Sequence, residues 1–357
     1  MSINILDPKC NTSLISKFDP ENTDKYIRKA LNFVKCPGPW IYCNHPENII
    51  EAALADNNFY LNQQNITSGE SQLFASYINK TGEPIMFGVQ IYNPNASQIT
   101  ITKTNYGFRC SDEYSWEDVQ GGSWTDFFNS CETTYAIPSG GNIWILDECI
   151  PTGAFFTYNL RFIADSNAII TIYAYKDKSK ITGNAVYYLG NIATDGSTYS
   201  GLGESYFLNC SFDINISSLL NKGLCSLIGK VLTNTNEIIS IVQPSPAPIA
   251  SETSPSPYNN LGNWGAQTLF NVCINNDTSF NKTINGYVAC NPLGATPVIQ
   301  SGCVVRYKSL ECSDGQNVQR WNFYSHNICP GDSVQIDFQY ITGTNSCTPV
   351  YLMWTAV

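Results

Sequence analysis

The densest group of ionisable side chains lies between residues 112 and 126. Carboxylates crowd the stretch from Asp112 to Asp118 around Trp116, and Trp124 and Asp126 follow. Paired carboxylates beside tryptophans are typical of a glycosidase, in which an indole stacks on a sugar and the carboxylates act as acid and nucleophile. Oxygen ligands at this density also suit Ca²⁺, although the spacing matches no EF-hand loop. We favour a third interpretation, an acidic surface loop. The sequence therefore predicts no cofactor, with calcium between Asp112 and Asp118 kept as the alternative.

The two histidines offer little further chemistry. His45 follows Cys36 and Cys43, a grouping that imitates part of a zinc site, but a short disulfide loop around residues 37–39 explains the same spacing. His45 or His326 would have to be the base of a Ser–His–acid triad, and the chain contains no Gly-x-Ser-x-Gly nucleophile elbow. A polar residue at a strand end is the simpler role for His326. The sequence thus predicts no catalytic residue, no metal ligand and no enzymatic activity.

Cysteines are the remaining reactive residues, and their number is even on both sides of a proline-rich segment at residues 243–257. No Cys-x-x-Cys pair occurs, which excludes zinc ribbons and thioredoxin-like motifs because both need that spacing. We therefore expect disulfides within each group, and an oxidising destination, with the pairing left open. The predicted disulfide cysteines are Cys10, Cys36, Cys43, Cys110, Cys131, Cys149, Cys210 and Cys225 before the segment, and Cys273, Cys290, Cys303, Cys312, Cys329 and Cys347 after it.

Composition excludes several classes of partner. The 357 residues carry a formal net charge of -10, so no basic field attracts phosphates and nucleic acid is not an expected partner. No apolar run is long enough for a membrane span. Charged residues make up only 13%, while asparagine alone occurs 38 times, and such a polar surface of low charge suits packing against copies of itself. Eight Asn-x-Ser/Thr sequons are close to chance and do not argue for glycosylation.

The secondary structure that positions these residues is predicted from local patterns. The first sixty residues contain signals for helices. Asp19 is a good N-cap, Pro20 suits the first helical position, and apolar residues recur at helical spacing from Ile27 to Val34. A second short helix is predicted at residues 46–55. We interpret residues 1–60 as an N-terminal arm followed by a helical cap on a β-rich core.

From about residue 70 the apolar period changes to two, which predicts strands. The predicted strands cover residues 85–92, 98–102, 142–146, 155–163, 168–175, 334–341 and 350–356. A Pro/Gly turn precedes an alternating strand both at residues 151–153 and at residues 330–331. This likeness indicates either a duplicated sandwich or two unrelated sandwiches that obey the same hairpin rules. Residues 219–232 are undecided between a helix and two strands.

The predicted fold is all-β and mainly antiparallel, with two β-sandwich or jelly-roll-like domains and a small helical N-terminal segment. The proline- and serine-rich residues 243–257 are interpreted as a linker, with a long surface loop as the alternative. The first sandwich would then span residues 61–242 and the second residues 258–357.

In pattern, the chain resembles the Cys-rich jelly-roll subunits of bacterial endospore appendages. The shared features are a start without a recognisable signal peptide, an early Cys10 on an arm predicted to dock poorly, short Asn/Thr-rich strands and a final strand at residues 349–354. The resemblance implies self-assembly into fibres locked by intersubunit disulfides. Cys10 is the candidate intersubunit crosslink, because a cysteine on a mobile arm can reach a neighbouring subunit. Pairing of Cys10 within its own chain, with Cys36 or Cys43, is the alternative.

The sequence therefore predicts a structural, self-assembling, disulfide-stabilised subunit of an extracellular fibre, a spore-surface layer or a virion. Its main partner would be itself, as a homo-oligomer or polymer, with no nucleic acid and no membrane span. Either a leader has been removed or the protein becomes oxidised without Sec export. An adhesin or lectin-like surface protein with a glycan partner is the alternative, supported by seven Trp and 21 Tyr. A secreted hydrolase is the third possibility.

Overall fold

A computed structural model of the protein describes residues 4–50, 59–112, 115–181, 187–188, 200–229, 239–242, 258–260, 264–312, 314–343 and 346–357. The strands in this part of the chain are β1 Thr12–Ser16, β2 Tyr26–Arg28, β3 Phe33–Cys36, β4 Trp40–Cys43, β5 Asn48–Ile50, β6 Phe59–Ile66, β7 Gly69–Lys80, β8 Ile85–Tyr92, β9 Ile99–Ser111, β10 Thr133–Ile137, β11 Asn142–Ile150, β12 Phe155–Ala164, β13 Ala168–Tyr175, β14 Tyr187–Tyr188, β15 Ser200–Gly203, β16 Phe207–Asn215, β17 Gly223–Ile228, β18 Ile239–Val242, β19 Tyr258–Asn260, β20 Gln267–Asn275, β21 Lys282–Ala289, β22 Pro297–Ser301, β23 Val304–Tyr307, β24 Asn317–Ile328, β25 Ser333–Thr342 and β26 Val350–Ala356. The helical elements in the same part are the α-helix α1 Gly122–Asn129, a π-helical turn Glu117–Gly121, and 3₁₀ turns at Pro8–Cys10, Asp19–Glu21, Lys178–Lys180 and Ile216–Leu219.

Strands dominate the described chain, which confirms the predicted all-β class. The strands predicted from period-two patterning are present as β8, β9, β11, β12, β13, β25 and β26. The undecided residues 219–232 contribute one strand, β17, after a 3₁₀ turn. Within the residues that the structure describes, no helix combines the length and the apolar character that crossing a membrane requires.

The chain divides into two compact units, each built from separated segments. The central sandwich comprises Pro37–Tyr206 and Ser240–Asn259, and the C-terminal sandwich comprises Met1–Cys36, Phe207–Ile239 and Asn260–Val357. These boundaries differ from the predicted domains because strand pairing is non-local and takes the first 36 residues away from their sequence neighbours. The predicted linker at residues 243–257 lies outside the described residues.

The central sandwich packs a nine-stranded sheet on a five-stranded sheet. The larger sheet has the order β10-β9-β12-β7-β4-β15-β18-β19, with β5 also paired to β7, and the smaller sheet has the order β11-β8-β13-β6-β14. Their inner faces share one apolar core. Phe87 of β8 and Phe156 of β12 meet there with ring centroids 4.8 Å apart, so the core is formed by alternate residues of facing strands.

The C-terminal sandwich consists of two six-stranded sheets. One has the order β1-β24-β21-β26-β17-β2 and the other β23-β22-β25-β20-β16-β3. Phe323 of β24 packs on Phe338 of β25 with ring centroids 5.2 Å apart, and Trp354 of β26 lies edge-on to Phe323. Large aromatic side chains therefore fill the space between the sheets.

The two sandwiches share one strand order. The run β15-β4-β7-β12-β9-β10 of the central sandwich matches β3-β16-β20-β25-β22-β23 of the C-terminal sandwich, and β14-β6-β13-β8-β11 matches β2-β17-β26-β21-β24. Each matched pairing has the same parallel or antiparallel sense. This agreement favours the duplicated sandwich over two unrelated ones.

A corner around Asn79 closes the central sandwich where β7 ends. The Asn79 Nδ2 lies 2.8 Å from the Glu83 carbonyl and 3.0 Å from the Ile150 carbonyl, while its Oδ1 accepts hydrogen bonds from the Thr81 amide and hydroxyl. The Asn79 carbonyl accepts from Gly153, whose positive φ of 77° suits glycine at this turn. One side chain thus joins its own loop to the opposing Pro/Gly turn.

The same corner recurs around Asn276 in the C-terminal sandwich. The Asn276 Nδ2 donates to the carbonyls of Phe280 and Ile328 at 2.8 and 2.7 Å, and its Oδ1 accepts from the Thr278 amide and hydroxyl. Gly331, also at φ 77°, donates to the Asn276 carbonyl. The sequence likeness between the two Pro/Gly turns therefore reflects a shared hydrogen-bonded corner.

The predicted helical cap is wrong for the described residues. Only a 3₁₀ turn forms at Asp19–Glu21, and β2 and β3 follow. Asp19 does not cap a helix but pairs with Lys25 at 2.8 Å. Pairing of β2 with β17 and of β3 with β16 buries Tyr26 and Phe33, and this tertiary pairing outweighs local helix propensity. The second predicted helix, at residues 46–55, is β5 in its described part, and residues 51–58 lie outside it.

The N-terminal arm also docks, contrary to the prediction that it would pack poorly. Strand β1 pairs with β24 over five residues. Ile5 and Ile15 are 6% and 9% exposed, and Pro8 is buried. Burial of Ile5, Pro8 and Ile15 therefore ties down a segment whose sequence shows weak periodicity.

Candidate functional site

The acidic segment lies in the connection between β9 and β10, where two of its carboxylates have local partners. Asp118 accepts a hydrogen bond from the Ser115 hydroxyl at 2.8 Å, and Asp126 forms an ion pair with Arg109 at 2.6 Å. Among the residues that the structure describes, no three His, Cys, Asp or Glu side chains gather around a common point as metal ligands would. Glu113 lies outside those residues, so calcium between Asp112 and Asp118 stays a prediction.

The tryptophans of this segment pack against protein. Trp124 is fully buried and contacts Phe127 with ring centroids 5.0 Å apart. Trp116 lies 4.3 Å from the Phe155 ring. The indoles anchor α1 and the π-helical turn on the sheet, and Trp124 has no exposed face for a sugar.

The two histidines lie in different sandwiches. The backbone amide of His45 donates to the Ser200 hydroxyl at 2.9 Å, which ties the chain after β4 to β15. His326 is exposed near the end of β24 and stacks on Tyr324 with ring centroids 6.2 Å apart. The position of His326 agrees with the polar strand-end role that the sequence predicts for it.

Buried cysteines have thiols that resist ionisation. Burial raises the pKa of Cys43 and of Cys290 to about 12, and that of Cys225 to about 11. Because the thiolate is the nucleophile, these three groups are poor nucleophiles at neutral pH. They serve as small apolar side chains in the core.

Two pairs of cysteines are close neighbours. Burial raises the pKa of Cys110 to about 11, and the nearby Asp112 and Cys149 add to the shift. Cys290 and Cys312 are the second pair, because both contact consecutive residues of β24. The Cys290 amide donates to the carbonyl of Gln319, and Cys312 forms a β-bridge with Val318. The thirteen described cysteines other than Cys10 are present as thiols, so the predicted disulfides and their connectivity stay predictions.

Among the cysteines whose side chains the structure describes, four are exposed, and three of them lie at the ends of strands. Cys131 precedes β10, Cys303 lies in the turn between β22 and β23, and Cys329 follows β24. Cys149 is exposed within β11, next to its last residue. Cys10 ends the first 3₁₀ turn, but its side chain lies outside the description, so its proposed crosslink stays a prediction.

The central sandwich also carries a depression of about 620 Å³, lined by Lys103 and residues 106–108 of β9, by Asp126, Asn129 and Ser130, and by residues 144–148 of β11. Trp144, Asp147 and Glu148 contribute from β11. The Lys178 ammonium lies 4.6 Å from the Trp144 ring centroid and forms an ion pair with Asp147. Sequence patterning assigns Trp144 only to a strand, although an aromatic residue three positions before two acids is the signal that could have marked it.

The N-terminal segment of residues 4–36, hereafter the arm, covers three sheet edges of the C-terminal sandwich. Strand β1 extends one sheet beyond β24, β2 extends the same sheet beyond β17, and β3 extends the other sheet beyond β16. A Cβ at Gly223 would lie 2.6 Å from a carbon of the Tyr26 ring, so glycine is needed for that ring to seat. Phe33 packs edge-on to Phe270 at 6.2 Å. The acceptor surface is thus shaped for the arm.

Comparison with known proteins places the chain in no family. No family model and no curated protein matches it. Among solved structures, a point mutant of Bacillus subtilis oxalate decarboxylase is 9% identical over 83% of this chain and 74% of its own, with a TM-score of 0.11. Vicilin from Corylus avellana is 8% identical over 82% and 73%, and 11S globulin from Wrightia tinctoria is 9% identical over 91% and 83%, both with TM-scores of 0.11. Scores this low support no inference about function.

Proposed function

We propose that the protein is a structural, self-assembling subunit of an extracellular fibre, a spore-surface layer or a virion, stabilised by disulfides between copies. The observation that carries this proposal is the distribution of its cysteines. Buried thiols such as Cys43 and Cys290 are held protonated within the cores, whereas Cys131, Cys149, Cys303 and Cys329 are exposed. An exposed thiol at a strand end can meet a thiol of another molecule without disturbing its own sheet.

The surface supports the same role. Only 13% of the residues are charged, so few like charges face each other where two copies pack together. The repulsion that remains comes from the formal net charge of -10 on each copy. The described carboxylates Asp118 and Asp126 are held by Ser115 and Arg109. These two carboxylates therefore have structural partners within the connection between β9 and β10.

Non-reducing electrophoresis and electron microscopy of concentrated, air-oxidised protein test the proposal. We expect a covalent ladder together with filaments or lattices. A variant with serine at positions 131, 149, 303 and 329 should lose the ladder, while Cys273→Ser, at a half-buried position of β20, serves as the matched control and should keep it. A monodisperse monomer of wild type at all concentrations, with or without reductant, would overturn the proposal.

Carbohydrate binding is a second candidate, favoured by the depression beside Trp144. Trp144 lines the depression beside Asp147 and Glu148, whose carboxylates are hydrogen-bond acceptors for sugar hydroxyls. Glycan-array binding that is lost in Trp144→Ala but kept in Trp116→Phe would support it. Failure of wild type to bind any glycan on the array would rule it out.

A further inference from the structure

The arm takes a place in the C-terminal sandwich that a different part of the chain fills in the central sandwich. There, β14 and β15 come after β13 along the chain and pair with β6 and β4. In the C-terminal sandwich, the matching places beside β17 and β16 are filled by β2 and β3. These strands are separated from β16 in sequence by residues 37–206. The C-terminal sandwich is therefore completed by strands from a remote segment.

We propose that the arm is exchangeable, so that residues 4–36 of one copy complete the C-terminal sandwich of a second copy. This inference rests on the proposed function and names its noncovalent mode of assembly. Closed and exchanged forms contain the same strand pairings, so protein concentration decides between them. When each copy donates its arm to one neighbour and accepts the arm of another, the contact is head-to-tail and can propagate into a fibre, whereas reciprocal exchange between two copies closes a dimer.

The arm is built to be held by its alternate side chains. Ile5, Ile15, Tyr26, Leu31 and Phe33 are each less than a tenth exposed. The intervening Leu14, Phe18, Ile27 and Val34 are 55%, 65%, 41% and 57% exposed. The buried set supplies the anchors for docking, and the sheet edges supply backbone hydrogen bonds, as in other cases of strand addition.

The C-terminal sandwich has open sheet edges whenever its own arm is not bound to them. Without the arm, β16, β17 and β24 would present unpaired backbone groups at three edges, and an open edge pairs readily with another strand. The arm is the occupant that these edges fit, because Gly223 leaves room for the Tyr26 ring and Phe270 receives Phe33. Beyond the arm, Pro37 and Pro39 lack backbone donors and so separate β3 from β4.

Photocrosslinking of full-length protein tests the exchange. A benzophenone amino acid replaces the exposed Val34 of β3, and equal amounts of ¹⁴N- and ¹⁵N-labelled chains are mixed after denaturation and refolded at high concentration with reductant. We expect crosslinks from position 34 to residues 207–212 that join a ¹⁴N peptide to a ¹⁵N peptide. The reductant keeps disulfides from producing the same association.

The matched variants are Tyr26→Ala and Ile27→Ala, a buried anchor and its exposed neighbour. Tyr26→Ala should lower the yield of mixed-isotope crosslinks about tenfold or more, and Ile27→Ala should leave it unchanged. If wild type assembles but every crosslink lies within one chain, arm exchange is wrong while the proposed function survives. If wild type neither assembles in oxidising conditions nor gives mixed crosslinks, both are wrong.

Discussion

At the scale of single residues, buried asparagines hold the corners of both sandwiches. Asn79 and Asn276 are 0% and 1% exposed, and both begin Asn-x-Thr sequons. Their Nδ2 atoms already donate to main-chain carbonyls. Two of the eight sequons are therefore structural in the folded chain, a role that sequon counting cannot reveal.

Replacing either corner asparagine with alanine should destabilise its own sandwich. Asn276→Ala leaves the carbonyls of Phe280 and Ile328 without their donor, at a cost of about 2 kcal/mol or more, since an unsatisfied buried group costs about 1–3 kcal/mol. Urea denaturation would measure the loss. Asn142→Ala, at an exposed position of β11, is the control and should change stability by less than about 0.5 kcal/mol. Equal effects of the two substitutions would contradict this role.

Thiol reactivity should separate the buried cysteines from the exposed ones. At pH 8, iodoacetamide should label Cys303 and Cys329 in the folded protein, whereas Cys43 and Cys290 should react only after unfolding. Raising the pH to 10 should not convert the Cys43 thiol to the reactive thiolate in the folded protein, because its folded pKa is about 12, above the ordinary value of 9.0. Mass spectrometry of the labelled peptides would measure the rates. Labelling of Cys43 as fast as Cys303 at pH 8 would show that the thiol is accessible.

The raised pKa of the Cys43 thiol also makes the stability of the fold depend on pH. A thiol whose folded pKa is raised stabilises the fold fully below its unfolded pKa and loses that contribution as pH rises toward the folded value. Cys43 therefore favours the folded state up to about pH 9, and its contribution falls between about pH 9 and 12.

At the scale of elements, sequence patterning succeeds where a strand is flanked on both sides. Residues 168–175 were predicted as a strand and form β13, which pairs with both β6 and β8 while its inner face packs on the core. Period-two alternation records that environment directly. The spacing from Ile27 to Val34, in contrast, fits a helix as well as two short edge strands. Only the remote partners β16 and β17 decide between them, and no local signal identifies such partners.

For the candidate site, the sequence identifies the reactive residues but not their burial or their contacts. The cysteines are visible in sequence, but whether Cys43 is buried or Cys303 exposed depends on the turns and sheets around them. Trp124 and Asp126 read as binding residues because carboxylates and indoles cluster there. Their contacts with Phe127 and Arg109 follow from the packing of α1 on β9, which sequence patterning did not foresee.

Strand β2 should depend on the small size of Gly223. In Gly223→Val the added side chain meets the Tyr26 ring, so β2 should detach and the arm should become sensitive to protease. Trypsin cleavage at Lys25, Arg28 or Lys29, followed by mass spectrometry, should accelerate about tenfold or more. Val304→Ala, at an exposed position in β23, is the control. Equal cleavage rates in both variants would mean that the fit of Tyr26 to β17 does not hold the arm.

At the scale of the whole molecule, the shared strand order predicts that the arm can be moved along the chain. A circular permutant would begin at residue 37 and carry residues 1–36 after residue 357, through a linker as long as residues 176–186. With β1 as an additional strand after β26, that order places β2 and β3 after β26 as β14 and β15 follow β13 in the central sandwich. We expect a folded protein with a strand-rich circular dichroism spectrum and a Tm within a few degrees of wild type. A permutant that lacks the wild-type near-ultraviolet spectrum would contradict the equivalence of the two sandwiches.

The distance in sequence between β2 and β3 and their partner strands also delays their pairing during synthesis. The arm leaves the ribosome before residues 37–206, and its partners β16 and β17 emerge only after those residues have been made. At about 5–20 residues per second, that interval lasts on the order of ten to thirty seconds. Throughout it, Tyr26 and Phe33 have no acceptor on their own nascent chain, whereas a chain completed earlier on the same messenger can offer one. Translation on crowded polysomes would therefore favour joining of successive copies before each chain is finished.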